Sequence, residues 1–237
     1  MTSGHYSTNR HFSNTVKPMD IKPSRKERAF SRREEEILQA TRELFSIGAW
    51  ESVTVADIAI RAEVGKGTVY KHFARKEEIY ARLALDFGAS LLNELDQLPR
   101  VGNAIDDLYA LTRMAFRWHL DDPIGNSLCK FTDRPEFQQR LSLEYQQQFR
   151  DQHDRFERFF AGLLAQGVAQ GLFPQVPMAP VLYGTHAAFL GALEMIRTGM
   201  YQMPNPAVSE EVFLEHVTDY MLAGILGMGT LLERNRG

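Results

Sequence analysis

Cysteine is almost absent: Cys129 is the single one in 237 residues. No disulfide can close within such a chain, which argues against a disulfide-stapled secreted scaffold and fits a reducing cytoplasm. Long apolar runs are missing too. The longest, Tyr220 to Leu232, is about 13 residues, whereas a spanning helix needs roughly 20, so it reads as a buried helix and no membrane partner is expected. Met1 to Met19 offers scattered Ser, Thr, Asn and His in place of the apolar core of a signal peptide, and no export is expected. Metal-ligand spacings are lacking. His153-Asp154 is adjacent, where two ligands on one helical face need a three- or four-residue spacing, and there is no His-Glu-x-x-His or paired-Cys pattern. Gly65-Lys66-Gly67-Thr68 is too short for a nucleotide-binding loop. No metal, cofactor or catalysis is therefore expected, since an enzyme would need convergent ionisable groups that these spacings do not supply.

What is present is ordinary globular material, 44% hydrophobic and 24% charged, in a chain long enough for one or two domains. The net charge of −3 is unevenly spread. Residues 1–80 carry 14 Lys and Arg against 11 Asp and Glu, and residues 81–237 carry 13 against 19. The N-terminal third is thus the part suited to a polyanion, because neutralising phosphates gives sequence-independent affinity.

Helical periodicity dominates and period-two alternation is almost absent, so the fold class is all-α. Residues 1–30 read as a flexible basic arm, with Pro18, Pro23 and the cluster Arg25, Lys26, Arg28, Arg32 and Arg33 at its end; it is either a solvated tail or an arm touching DNA backbone or minor groove. Ser31 with Glu34 forms a capping-box signature, and Ile37, Ala40, Leu44 and Ile47 then share one face up to a C-cap at Gly48. Further helices read as about Lys76 to Leu98, Asn103 to Leu120, Ile124 to Phe131, a long one from Pro135 to Gly171, then Met178 to Met203 and Ser209 to Leu232, the last two separated by Pro204-Asn205-Pro206. This divides the chain into the arm, a smaller helical domain over 31–80 whose last helix continues to about 98, and a larger helical domain over 99–237.

The informative stretch lies between these helices. Thr54 can cap a two-turn helix with Asp57 completing the box, and Val55, Ile58, Ala59 and Ala62 give it an apolar face. Glu63-Val64-Gly65 breaks it, and Lys66 to Phe73 forms a second short helix that is basic outward and anchored by Val69 and Phe73. Two short helices joined by about three residues describe a helix-turn-helix. Gly67 lets the backbone approach a duplex, and Thr68 offers a hydroxyl and a methyl group. Base reading is assigned to Thr68, Val69 and Lys66, and positioning on phosphates to Thr54, Tyr70, Lys71, His72 and Lys76.

The run from Thr54 to Glu77 (TVADIAIRAEVGKGTVYKHFARKE) resembles the DNA-binding signature of the TetR/AcrR, or tetracycline-repressor-like, family. The resemblance implies a three-helix DNA-binding domain with a recognition helix at Lys66 to Phe73, followed by a ligand-binding and dimerisation domain whose last two helices pair across a twofold axis. Two residues depart from the pattern: Glu63 stands where the family often has Gly, placing a negative charge near the duplex, and Gly65 stands where Ser or a similar cap is common.

In the larger domain Gly184, Ala187, Ala188, Gly191 and Ala192, with Ala223, Gly224, Gly227 and Gly229 on the last helix, form stripes of small residues suited to close helix contact. Gly184, Ala188, Gly191, Ala192, Gly224 and Gly227 are the interface candidates. Met114, Trp118, Phe131, Phe149, Phe156, Phe160, Phe189 and Met195, with the polar His119, Tyr145, His153 and His186, are candidates for lining an apolar effector pocket or for plain core. The expectation is a cytoplasmic, nucleoid-associated homodimer that binds a pseudo-palindromic double-stranded DNA operator, most simply as a repressor, and is released by a small apolar or amphipathic effector. The alternative from a different class is a DNA-associated factor that recruits a protein partner and senses no small molecule.

Overall fold

Ser24 sets where the first helix begins. Its hydroxyl accepts a hydrogen bond from Glu27 N (3.2 Å), and the Glu27 carboxylate accepts one from Ser24 N (2.7 Å), satisfying donors that a helix start otherwise leaves free. Helix α1 accordingly runs Arg25–Ile47 in the computed structural model, which describes residues 24–47, 52–203 and 208–234. The start expected at Ser31 is thereby corrected. Ser31 and Glu34 lie inside α1, and Arg25 to Phe30 are helix. The remainder of the expected arm, Gly48 and the Pro204-Asn205-Pro206 breaker lie outside the described residues.

Helix α2, Val55–Arg61, starts at the Thr54 capping box and ends in a left-handed turn at Glu63 (φ 54°). Glu63 N donates to Ile60 O (3.1 Å) and Val64 N to Ala59 O (2.9 Å), the paired bonds of a Schellman ending. Helix α3, Lys66–His72, follows at once, then α4, Lys76–Gln97. Beyond them lie α5 (Ala104–Asp121), α6 (Pro123–Thr132), α7 (Pro135–Gln138), α8 (Leu143–Ala169), α9 (Met178–Thr198) and α10 (Glu210–Arg234), and the described residues contain no strand.

Two further boundaries differ from the sequence reading. The helix expected from Pro135 to Gly171 is divided, because the Ser142 hydroxyl accepts from Tyr145 N (3.4 Å) with extended backbone at Ser142, while Phe137 and Leu141 turn into the core. Helix α9 stops at Gly199, whose left-handed φ of 72° closes it before Met203.

One cluster of buried side chains gathers Ile37 and Phe45 of α1, Ile58 of α2, Val69 and Phe73 around α3, Ile79 and Tyr80 of α4, and Leu128 and Phe137. A second joins Leu91, Leu92 and Leu95 of α4 to Leu108 and Leu111 of α5, Leu163 and Leu164 of α8, and Leu222 and Ile225 of α10. Helix α4 contributes to both, so the two clusters share one element. A side link runs parallel to it: Arg42 of α1 pairs with Asp122 (2.6 Å), which also accepts from Gly125 N (2.9 Å) and so caps α6.

Candidate nucleic-acid interface

Helix α3 is amphipathic at seven residues. Val69 is 1% exposed and Phe73, its C-cap, is also buried, so this side seats the helix on the first core cluster. Lys66, Gly67, Tyr70 and Lys71 face outward, with Tyr70 53% exposed and Thr68 half-buried beside them. At 3.6 residues per turn, positions 66, 67, 70 and 71 share one side of the helix. A Cβ on Gly67 would meet nothing within 4 Å among the described residues, so its lack of a side chain answers to no neighbour among them. Thr54 lies exposed at the start of α2, its hydroxyl donating to the Asp57 carboxylate (2.7 Å) and accepting from Asp57 N (3.2 Å). Those bonds hold the Asp57 carboxyl below its ordinary range, first through the Thr54 hydroxyl and then through the Thr54 backbone.

Two assigned roles are corrected by this geometry. Val69 packs in the core and cannot read a base edge; it anchors the helix. The His72 side chain is 5% exposed, stacked on Phe30 at 3.9 Å with Nδ1 3.7 Å from Glu34, so it locks α3 to α1 and does not reach a phosphate. The Lys76 ammonium donates to Val53 O (2.9 Å) and lies over the Tyr80 ring (5.4 Å), which ties the start of α4 to the segment entering α2. What remains outward on α3 is a compact polar and cationic face.

Residues 37–83 match the family model described as bacterial regulatory proteins, tetR family. The likeness to that family is carried by this segment, from α1 into α4. No curated protein matches the chain. Solved structures similar to this chain include the TetR family transcriptional regulator PfmR from Thermus thermophilus (23% identity, 80% of this chain and 96% of that one, TM-score 0.60). FadR from Bacillus subtilis in complex with stearoyl-CoA is another (16% identity, 82% and 98%, TM-score 0.57). RolR in complex with resorcinol is a third (20% identity, 84% and 89%, TM-score 0.55).

The expected pocket residues do not converge on one place. Phe131, Tyr145 and Phe149 pack against the first core cluster, and Met114, Trp118, Phe156 and Phe160 against the second. His153 is corrected outright: its side chain is 72% exposed and pairs with Glu157 (3.5 Å) one turn along α8. One subset does come together. Phe189 of α9 stacks on Phe116 (4.4 Å) and meets the edge of His119 (5.4 Å), while Phe87 of α4 meets His119 (5.2 Å) and Trp118 (6.2 Å). His119 Nδ1 sits 3.1 Å from Asn126 Oδ1, and burial pushes the imidazole pKa down despite that bond. Trp118 Nε1 is buried with no hydrogen-bond partner among the described residues. Sequence reasoning misses Phe87, Phe116 and Asn126. Their only signal is apolar spacing or polarity, which core residues share. Cys129 is inert by environment, since burial raises its thiol to about 12.

Of the interface candidates, Ala192 is corrected: it is 3% exposed and packs with Phe116, Leu193 and Leu214. Gly184, Gly191, Gly224 and Gly227 are exposed, and a Cβ on any of them would meet nothing within 4 Å. Ala188 is half-buried among them. Tyr183 and Leu190 on α9 and Tyr220 and Leu226 on α10 extend the same pair of helices as exposed apolar side chains.

Proposed function

We propose that this tetR-family transcriptional regulator is a homodimeric repressor that reads a pseudo-palindromic operator with the outward face of α3 and leaves it when a small apolar or amphipathic effector binds the larger domain. The observation that carries the DNA assignment is the division of α3: Val69 and Phe73 inside, Lys66, Gly67, Tyr70 and Lys71 outside. Such a face can enter a major groove, with Lys66 and Thr68 at base edges and Tyr70, Lys71 and Thr54 on phosphates. Two copies set about one helical turn apart would place two such helices in successive grooves.

The dimer follows from the glycines. Helical Gly costs roughly 1 kcal/mol relative to Ala unless packing compensates. Among the described residues, none occupies the space beside Gly184, Gly191, Gly224 or Gly227. A second copy of the same two helices supplies the missing contact, in an isologous four-helix interface.

The effector reading is supported by the ligands held by FadR and RolR, stearoyl-CoA and resorcinol. Within this chain the group around Trp118, His119 and Phe189 suits an effector best, since it offers aromatic faces, the unsatisfied Trp118 N–H and a neutral imidazole next to α6. An effector wedged there would bear on Asp122, and through its pair with Arg42 on α1. To release DNA it must bind the non-operator state more tightly, typically by about 1 to 3 kcal/mol of coupling. The dispersal of the other candidate pocket residues over three core clusters favours a second reading, in which the larger domain recruits a protein and senses no small molecule. Selection of fragments of the source genome by the purified protein tests the first reading: enrichment of a palindromic site upholds it, and enrichment of none overturns it.

A further inference from the structure

We infer that the groove between α1, α4 and the α5–α6 corner is a binding site for a small amphipathic organic cation, an amine or quaternary ammonium on an apolar body. The inference rests on the effector reading above for its consequence on DNA, and it names the chemistry of that effector. The groove measures about 440 Å³, within the range of sites that take small ligands, and it opens where these elements meet. Its apolar part comes from Leu38 of α1 and from Leu83 and Phe87 of α4, all buried. Trp118 of α5 lines it as well, its ring 6.2 Å from that of Phe87. Two aromatic rings at this separation favour a cationic centre over a neutral one of the same shape, because the ring faces carry negative potential.

The rim supplies the complementary charge. Glu35, Asp86 and Asp122 line the groove against the single cation Arg42. Arg82 reaches Asp86 (2.9 Å) but is shared with Glu34 (2.7 Å), and Glu35 has no ion pair among the described residues, so the carboxylates stay in excess. An anionic ligand would be repelled by that excess. Asp122 lies next to the aromatic part: a Cβ built on Gly125 would come 2.2 Å from Phe87 Cδ2 and 2.8 Å from Asp122 Oδ2. A cation resting on Phe87 is therefore beside the carboxylate that Arg42 holds (2.6 Å). The ligand's cation takes the place of the Arg42 guanidinium, which keeps Asp122 paired and frees α1 from the cap of α6. Trp118 Nε1, buried without a hydrogen-bond partner among the described residues, is a donor that an ester or hydroxyl oxygen of the ligand satisfies.

The test uses the full-length protein carrying nitrogen-labelled tryptophan, whose two indole signals, from Trp50 and Trp118, are told apart with Trp50→Phe. Titration with butyrylcholine, a quaternary ammonium bearing an ester oxygen, is expected to shift the Trp118 signal to saturation. Its neutral isostere 3,3-dimethylbutyl butyrate, in which carbon replaces the charged nitrogen, is expected to bind at least about tenfold more weakly. E35Q/D86N alters two exposed carboxylates of the rim and is expected to remove most of that preference. The absence of a saturable shift at Trp118, or equal binding of the two esters to the unaltered protein, overturns the cation site. Release of the selected genomic fragment is followed in parallel. Release by the neutral ester and not by butyrylcholine overturns the site and keeps the effector reading. Charge-selective binding at Trp118 without release keeps the site and overturns the effector reading on which its regulatory consequence rests.

Discussion

Glu63 is the residue at which this chain departs most plainly from the signature that its helix-turn-helix resembles. It occupies the left-handed position of the Schellman ending after α2, at φ 54°, where a Cβ costs about 1 kcal/mol and Gly costs nothing sterically. Glu63→Gly is expected to raise stability by up to about 1 kcal/mol, read as a higher midpoint in urea unfolding, and an unchanged or lower midpoint would show that the turn carries no strain. His119 provides a pH handle at the same scale. Burial lowers its pKa from 6.5, so the folded protein holds it neutral while the unfolded chain takes up a proton below about that pH. The stability this residue confers is therefore complete above pH 6.5 and declines as pH falls below it. His119→Gln is expected to flatten part of the acid-side decline in thermal unfolding; identical pH profiles for both proteins would contradict the assignment.

At the scale of elements, the signature from Thr54 to Glu77 makes α2, the turn and α3 legible, because capping boxes, helix breakers and apolar anchors each sit at fixed offsets. The side of α3 that faces inward is only half legible. Val69 reads both as an anchor and as a base contact, and His72 as a phosphate contact, because a motif records residue type and spacing while the partner of each side chain is set by a distant helix. Phe30, the residue that buries His72, lies outside the signature altogether. The same limit explains the division of the long helix at Ser142, where a single hydroxyl cap outweighs a continuous amphipathic pattern, and the scattering of aromatic residues, whose spacing cannot tell one core cluster from another. Packing between elements offers its own test. A Cβ on Gly125 would collide with the Phe87 ring of α4 and come within 2.8 Å of the Asp122 carboxylate. Gly125→Ala should cost about 1 to 3 kcal/mol in unfolding free energy by forcing α6 away from α4. A neutral effect would mean that the α4–α6 contact yields freely and cannot transmit a displacement.

At the scale of the whole molecule, the two halves are joined by α4 and by the Arg42–Asp122 pair, and both lead to the three helices that hold α3 in place. The dimer enters here, since two reading heads are useful only at a fixed separation. Gly191→Glu puts a charge into open space beside α9 and leaves the monomer's own packing untouched. It is expected to weaken dimerisation at least about a hundredfold, roughly 3 kcal/mol, seen as monomers by light scattering at concentrations where the unaltered protein is dimeric. A variant that remains dimeric would move the interface elsewhere.

The central claim is that the outward face of α3 is the surface that binds DNA. Operator affinity of Lys71→Ala and Tyr70→Ala, measured by fluorescence anisotropy on the genomic site selected by the unaltered protein, tests it most directly. Both residues lie outside the core, so helix content and dimerisation should be unchanged while affinity falls by about tenfold or more, at least about 1.4 kcal/mol. Full affinity in both variants at physiological salt would contradict the assignment and place the DNA-binding surface elsewhere on the protein.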